Sequence, residues 1–122
     1  MLVEVPVSVG ELVDKITILE IKLNHAKDSQ QKKNIKKELT LLNKKLSKVS
    51  YPTFYYESLK SINMRLWDVE DLIRKQEKLG KFDKDFILYA RMIYMYNDTR
   101  AEIKKEINKI TDSEIIEEKI FS

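Results

Sequence analysis

The sequence has very few of the residues that form turns and none that form disulfides. Its 122 residues include no Cys, two Gly and two Pro. So little Gly and Pro argues against sandwiches, barrels and propellers, which need many tight turns, and predicts long elements instead. The absence of Cys excludes disulfide frameworks, thiolate zinc sites and cysteine nucleophiles. No apolar run approaches the ~18 residues of a membrane span, and the first residues do not resemble a signal peptide, so we expect a cytoplasmic protein.

Positive charge is concentrated in one segment of the chain. Residues 26–50 carry eight Lys against Asp28 and Glu38, whereas the net charge of the whole chain is only +3. That segment lacks Arg and aromatic residues, the groups with which proteins usually contact phosphates and stack on bases. We therefore interpret it as the solvated face of a helix and expect no nucleic-acid partner.

Apolar residues recur at alternating steps of four and three residues in four successive segments. This spacing puts them on one stripe of an α-helix and is typical of helical bundles and coiled coils. It predicts helices near 9–27, 29–49, 53–79 and 83–110. The predicted fold class is all-α, a four-helix antiparallel bundle built from helical hairpins, with short extended N- and C-terminal segments. We expect residues 1–122 to form a single helical domain.

Short motifs mark the ends of these elements. Ser8 and Glu11 have the spacing of a capping box at the start of the first helix, and Gly80 has the position of a left-handed cap after the third. The alternation of Val with polar residues over 3–9 predicts an edge strand. Two structures fit the tail beyond Thr111, a last helical turn or an extended segment paired with that strand, and we favour the extended segment.

Arg100 is the main anomaly of the sequence, because its guanidinium interrupts the apolar stripe of the fourth helix. A charge at such a position must be paired or must face a cavity. One interpretation, which we favour, is an internal ion-pair network that fixes the register of the helices. The other is an inter-helix site in which Arg100 and Lys104 hold an anion. The polar residues that helical spacing predicts for this cluster are Asp14, Lys15, Thr17, Trp67, Asp68, Asp71, Asn97, Arg100 and Lys104.

The sequence contains no complete catalytic set. Its only histidine, His25, follows Lys22 at the offset where a ferritin-like di-iron site needs Glu, which excludes that class. Two glycines cannot form a Gly-rich phosphate loop. We therefore predict no catalytic residue, no metal site and no cofactor, and favour a protein that is not an enzyme.

Four blocks of the sequence resemble one known family. They are VPVSVGELVDKITILEIK at 5–22, LWDVEDLIR at 66–74, NDTRAEIKKEIN at 97–108 and SEIIEEK at 113–119, and they resemble the uncharacterised bacterial domain-of-unknown-function family 6165. The chain departs from the family pattern at Thr99, where a second basic residue is expected, and at Asp112, where Gly is expected. The resemblance implies a small cytoplasmic protein, expected beside glycosyltransferase and cell-surface polysaccharide genes, with no established activity.

Two functions are compatible with these observations. The first is a non-enzymatic interaction or scaffold protein that works with surface-polysaccharide enzymes, as a homo-oligomer because its helical faces are broadly apolar. The alternative is a small-molecule binder or an enzyme acting on an anionic metabolite, such as a phosphorylated sugar or a sugar nucleotide. Arg100, Lys104 and Lys15 would hold that anion.

Overall fold

A computed structural model describes residues 1–121 and contains four α-helices. They are α1 (Val9–His25), α2 (Ser29–Leu46), α3 (Thr53–Lys78) and α4 (Lys84–Ile110). No strand occurs within residues 1–121. The all-α prediction is confirmed, and each helix begins within one residue of its predicted start.

Helix α1 is the centre of the bundle. It packs against each of the other three helices, while α2 packs on α1 and α3 packs on α4 as the two hairpins. This position follows from an apolar surface that covers much of the circumference of α1, including the buried Val13, Ile16, Leu19 and Ile21. A helix with such a surface needs more than one neighbour to cover it.

The buried apolar residues form two linked clusters. One cluster joins α1 to α3 and α4, and the other joins α1 to α2. Leu46 and Tyr56 contact both clusters and so connect them. The buried members are Val13, Leu59, Ile62 and Ile107 in the first cluster and Ile16, Leu19 and Leu39 in the second.

The far end of the α3/α4 hairpin lies outside this core. Helices α3 and α4 have 26 and 27 residues against 17 in α1, so at ~1.5 Å per residue they are longer by ~15 Å. None of the residues 70–92 is buried. We term residues 70–92 the hairpin arm, and residues 1–69 with 93–121 the base. Five large apolar side chains of the arm are 41–66% exposed: Leu72, Leu79, Phe82, Ile87 and Leu88.

The predicted cap between α3 and α4 is confirmed. Gly80 has a φ of 65°, in the left-handed region that favours glycine. The Gly80 amide donates to the Glu77 carbonyl at 3.1 Å, and the Lys81 amide donates to the Gln76 carbonyl at 3.0 Å. These two bonds form a Schellman motif, which satisfies carbonyls that the end of α3 leaves free.

The start of α1 has only half of the predicted capping box. The Glu11 amide donates to Ser8 Oγ at 3.1 Å, as predicted. Within residues 1–121 the Glu11 carboxylate makes no return bond to the Ser8 amide, because it binds Lys104 of α4 instead. The carboxylate that would complete the capping box is therefore paired with the buried ammonium of Lys104.

The strand predicted over 3–9 is wrong. Residues 1–8 form neither helix nor strand, and α1 already begins at Val9. The tail is not helical, in agreement with the prediction, but within residues 1–121 it forms no strand with residues 3–9. It turns at Asp112, whose φ is 53°, and lies along α4, where Glu117 contacts Lys104 and Lys119 contacts Asp98. Ion pairs with α4, which the apolar alternation could not indicate, determine its path.

Candidate functional site

A buried ion pair joins α1 to α4. Asp14 is 1% exposed, and its carboxylate accepts hydrogen bonds from Arg100 Nε at 2.9 Å and from a terminal nitrogen of the same guanidinium. These hydrogen bonds raise the pKa of Arg100 more than its burial lowers it. The geometry is bidentate, the strongest arrangement for this type of pair. The residue that interrupts the apolar stripe of α4 is thus paired inside the protein.

Asn63 of α3 completes the environment of Asp14. It is 5% exposed, and its Nδ2 donates to Asp14 Oδ1 and to Thr17 Oγ1, both at 2.9 Å. The Thr17 hydroxyl donates in turn to the Asp14 carbonyl at 2.8 Å. Three helices therefore meet at a single carboxylate. Asn63 is not among the nine residues predicted from the sequence.

Lys104 forms a second cationic centre one helical turn further along α4. It is 7% exposed, and its Nζ lies 2.6 Å from a carboxylate oxygen of Glu11 and 2.6 Å from one of Glu117. Burial lowers the pKa of Lys104, but the hydrogen bonds to Glu11 and Glu117 and the nearby charges of Asp14 and Glu11 together outweigh that effect and raise it overall. Lys104 therefore ties the start of α1 and the tail to α4.

The backbones of α1 and α4 approach closely at Gly10. Its amide donates to Asn108 Oδ1 at 2.7 Å, in a buried bond between residues far apart in sequence. A Cβ added to Gly10 would lie 2.5 Å from the Lys104 carbonyl oxygen, so only glycine fits without displacing the backbone. Within residues 1–121, the buried Nδ2 of Asn108 has no hydrogen-bond partner.

The structure brings together five of the nine predicted residues. Lys15, Asp68 and Asp71 are exposed, and Asp71 pairs with Lys75 of its own helix at 3.8 Å. Trp67 packs elsewhere, with its ring 4.5 Å from that of His25. The five that lie in the network are Asp14, Thr17, Asn97, Arg100 and Lys104.

A cavity of about 680 Å³ lies between α4 and the tail, on the outer side of this network. Arg100, Lys104 and Asn108 line it from α4, and Glu117 and Phe121 line it from the tail. Its charged lining consists of four basic and four acidic side chains, so the formal charges cancel.

The chemical capacity of the network follows from its pairing. Arg100 and Lys104, the two cations that would hold an anion, are already neutralised by Asp14, Glu11 and Glu117. Asn97 accepts one further bond from the Arg100 guanidinium at 3.3 Å. Within the described part of the chain, no group of three or more His, Cys, Asp or Glu side chains could hold a metal ion. The arrangement holds three helices and the tail in register.

These features define a small all-helical protein whose central helix is tied to its neighbours by buried polar pairs. The chain belongs to DUF6165, a family of unknown function, and the family model matches residues 1–122. Searches of curated proteins and of solved structures found no significant match. In the part of the chain that the structure describes, no helix has the length and hydropathy needed to cross a bilayer.

Proposed function

We propose that this chain is a non-enzymatic interaction protein that self-associates through the hairpin arm. The observation that carries the proposal is that no residue of the arm is buried, although five of its large apolar side chains are 41–66% exposed. Fully burying such a side chain contributes about 1.5–3 kcal/mol. Self-association that covers the arm would therefore gain a large favourable free energy.

A second copy of the chain is the partner that the sequence spacing favours. Leu72 of α3 and Leu79, the residue that caps its end, are seven residues apart, and Leu88 of the arm and Met95, just inside the base, are seven residues apart on α4. All four are at least 41% exposed. Exposed apolar residues at this interval form a seam that another helix with the same spacing can pack against.

The paired state of the cations supports a non-enzymatic role. The anionic-metabolite alternative needs Arg100, Lys104 and Lys15 around one ligand. The first two are bound to carboxylates, and Lys15 is exposed outside the network. We further propose a cytoplasmic protein whose other partner is an enzyme of cell-surface polysaccharide synthesis, on the basis of the family resemblance.

Self-association is tested by light scattering and sedimentation across a concentration series of wild type and two matched variants. Leu88→Glu puts a charge into the seam of the arm, and Met64→Glu puts the same charge on α3 in the base. The two side chains are equally exposed, at 51% each. We expect an oligomeric wild type, a monomeric Leu88→Glu variant and an unchanged Met64→Glu variant. A wild type that is monomeric at high concentration, or equal dissociation of both variants, contradicts the proposal.

The proposed partner is tested by affinity capture from the native host with wild type and with Leu88→Glu. Recovery of a glycosyltransferase or another surface-polysaccharide enzyme with the wild type supports the scaffold role. Recovery of proteins with no glycan chemistry contradicts that role and leaves the self-association result unaffected.

A further inference from the structure

Helix α2 presents a basic surface to solvent. Residues 26–50 contain eight Lys and only two acids, and all eight lysines are exposed. Among the residues that the structure describes, Lys45 is the only one of the eight that pairs with a carboxylate, that of Glu4 at 3.9 Å. The other seven ammonium groups have no ionic partner within residues 1–121.

The helical period places three of these lysines opposite the packed side of α2. Lys33, Lys37 and Lys44 follow one another at steps of four and seven residues, so their directions around the helix axis agree to within ~40°. We term these three residues the lysine face, which extends over ~17 Å of the helix. The apolar side of α2, which packs in the core, points ~170° away from it. Its residues are Ile35, Leu39, Leu42 and Leu46. The outermost surface of α2 is therefore a row of positive charges.

The two acidic residues of the segment leave most of this charge in place. Asp28 caps the start of α2, where its carboxylate accepts from the Gln30 amide at 3.0 Å. Glu38 is the single acid within α2, against six Lys. Clusters of four to eight basic residues on a helix are attracted to the negative surface of bilayers that contain anionic phospholipid. The lysine face therefore has the charge complementary to such a surface.

An exposed apolar segment lies beside the basic surface. The Glu4 carboxylate contacts Lys45, so the residues before α1 pass next to the second half of α2. Leu2, Val3 and Val5 of this segment are 66–72% exposed. A nucleic acid or an acidic polypeptide offers no apolar phase for such side chains, whereas the boundary between headgroups and acyl chains of a bilayer does. The apolar segment thus favours a lipid surface over other polyanions.

We propose that the lysine face docks on a bilayer that contains anionic phospholipid, with Leu2, Val3 and Val5 inserted at the level of the headgroups. Charge and a short apolar segment act together in such binding, since either alone holds a protein only weakly. The proposal goes beyond the interaction role proposed above and does not rest on it, because no residue of the hairpin arm takes part.

The test is sedimentation of the full-length chain with vesicles at low and at high salt. One set of vesicles contains phosphatidylcholine alone, and the other an equimolar mixture of phosphatidylcholine and phosphatidylglycerol. We expect no binding to the neutral vesicles and binding to the anionic vesicles that weakens as salt rises, because salt screens exposed charges. A chain that does not bind the anionic vesicles at low salt overturns the proposal.

Duplex DNA and polyglutamate are the competing polyanions in the same experiment, each supplied at the same concentration of negative charge as the anionic vesicles. We expect both to bind more weakly than the vesicles, because neither covers the apolar segment. Tighter binding of DNA or polyglutamate overturns the proposal and assigns the lysine face to a nucleic acid or to an acidic protein.

Two double variants with the same net charge locate the basic contact. Lys37→Gln with Lys44→Gln removes two charges of the lysine face and should weaken binding to anionic vesicles about 25-fold, at roughly fivefold per lysine. Lys78→Gln with Lys81→Gln removes two exposed lysines of the hairpin arm and should leave binding unchanged. Gln has nearly the helix propensity of Lys, so the far-UV spectra should match that of the wild type. Equal losses for the two variants would mean that net charge alone acts, which contradicts the proposal.

A second pair of variants tests the apolar segment. Val3→Asn with Val5→Asn should weaken binding to anionic vesicles by roughly tenfold or more, because each Val loses its gain from burial. The same variant should bind DNA as the wild type does. Ile116→Asn with Ile120→Asn changes two exposed residues of the tail, which lies along α4, and should leave vesicle binding unchanged. Equal losses for the two variants, or no loss for either, contradict insertion of the apolar segment.

Discussion

The base and the hairpin arm are built from the same kind of amphipathic helix, yet they treat polar and apolar groups in opposite ways. The base buries charged and amide side chains, such as Asp14, Asn63 and Lys104, and pairs them across helices. The arm contains no buried residue and keeps large apolar side chains such as Phe82 and Leu88 more than half exposed. Polar pairing in the base fixes one arrangement of the helices. Exposed apolar surface in the arm is what we expect of a contact with another molecule.

The largest loss of stability is expected when the guanidinium at the centre of the base is removed. Arg100→Ala leaves the 1%-exposed carboxylate of Asp14 without its cation and should lower the free energy of unfolding by about 3–5 kcal/mol. Urea melts measure the loss. The control is Arg91→Ala on the same helix, where the arginine lies exposed in the arm. That variant should stay within about 0.5 kcal/mol of the wild type. Similar losses for the two variants would contradict a structural role for the Asp14–Arg100 pair.

The two glycines allow a second comparison of the base with the arm. Gly10→Ala places a Cβ 2.5 Å from the Lys104 carbonyl, so α1 and α4 must separate, at a cost of about 1–3 kcal/mol or more. Gly80→Ala in the arm meets no atom within 4 Å and costs only the strain of its positive φ, about 1 kcal/mol. Thermal melts of both variants give the order. A larger loss for Gly80→Ala would show that close approach at Gly10 is unimportant.

The ends of the two long helices offer a stabilising substitution. The Ser113 amide donates to the Asn108 carbonyl at 2.9 Å, which gives α4 the same type of C-terminal motif that α3 has at Gly80. At the corresponding left-handed position α4 has Asp112, with a φ of 53°. Asp112→Gly should raise the free energy of unfolding by about 0.5–1 kcal/mol, since glycine takes this conformation without strain. Asp112→Ala retains the Cβ and should give no such gain in the same urea melts.

The smallest expected effect is a fall in the free energy of unfolding at alkaline pH, caused by two groups in the base of the molecule. The folded pKa of Lys104 lies above its ordinary value of 10.5, so its contribution is complete below that value and is lost as the pH rises through the folded pKa. Burial first, and then the charge of Glu20, raise the pKa of Tyr51 above 10.0, which keeps its phenol neutral in the folded protein and acts in the same direction. Urea melts across the pH range above 9 should show a falling free energy of unfolding. Tyr51→Phe should reduce the fall, and a stability that is flat through this range would contradict the pairing of Lys104.

The helices could be predicted from the sequence because their information is local. The stripe of Tyr55, Leu59, Ile62 and Leu66 in α3 needs only the 3.6-residue period, and all but Tyr55 of these residues are buried. The predicted helix ends agree less closely with the structure: α2 stops at Leu46, three residues before the predicted end. The final turn of a helix depends on contacts that the period does not contain.

The candidate site could be predicted only in part, because spacing along one helix does not identify the neighbouring helix. Arg100 was found because its charge breaks an apolar stripe. Asn63 was missed because it lies beside the apolar stripe of α3, next to Ile62. At such a position an amide resembles an ordinary boundary residue. Asp68 and Asp71 have the same helical spacing as functional carboxylates, but they face solvent. Glu117 reaches Lys104 only because the tail turns back at Asp112, a path that no local pattern indicates.

The long sequence separations in the base determine when it can form during synthesis. Arg100 is 86 residues from its partner Asp14, and Asn108 is 98 residues from Gly10. The bond from the Val9 amide to Ser113 Oγ joins residues that are 104 positions apart. Helix α1 leaves the ribosome first, but its carboxylate has no cation until the second half of α4 has followed. The end of the α3/α4 hairpin next to Gly80 needs only partners that are near in sequence and can close earlier. A nascent chain stopped before residue 100 should therefore remain sensitive to protease within α1, and protection should appear only after the last turns of α4 have emerged.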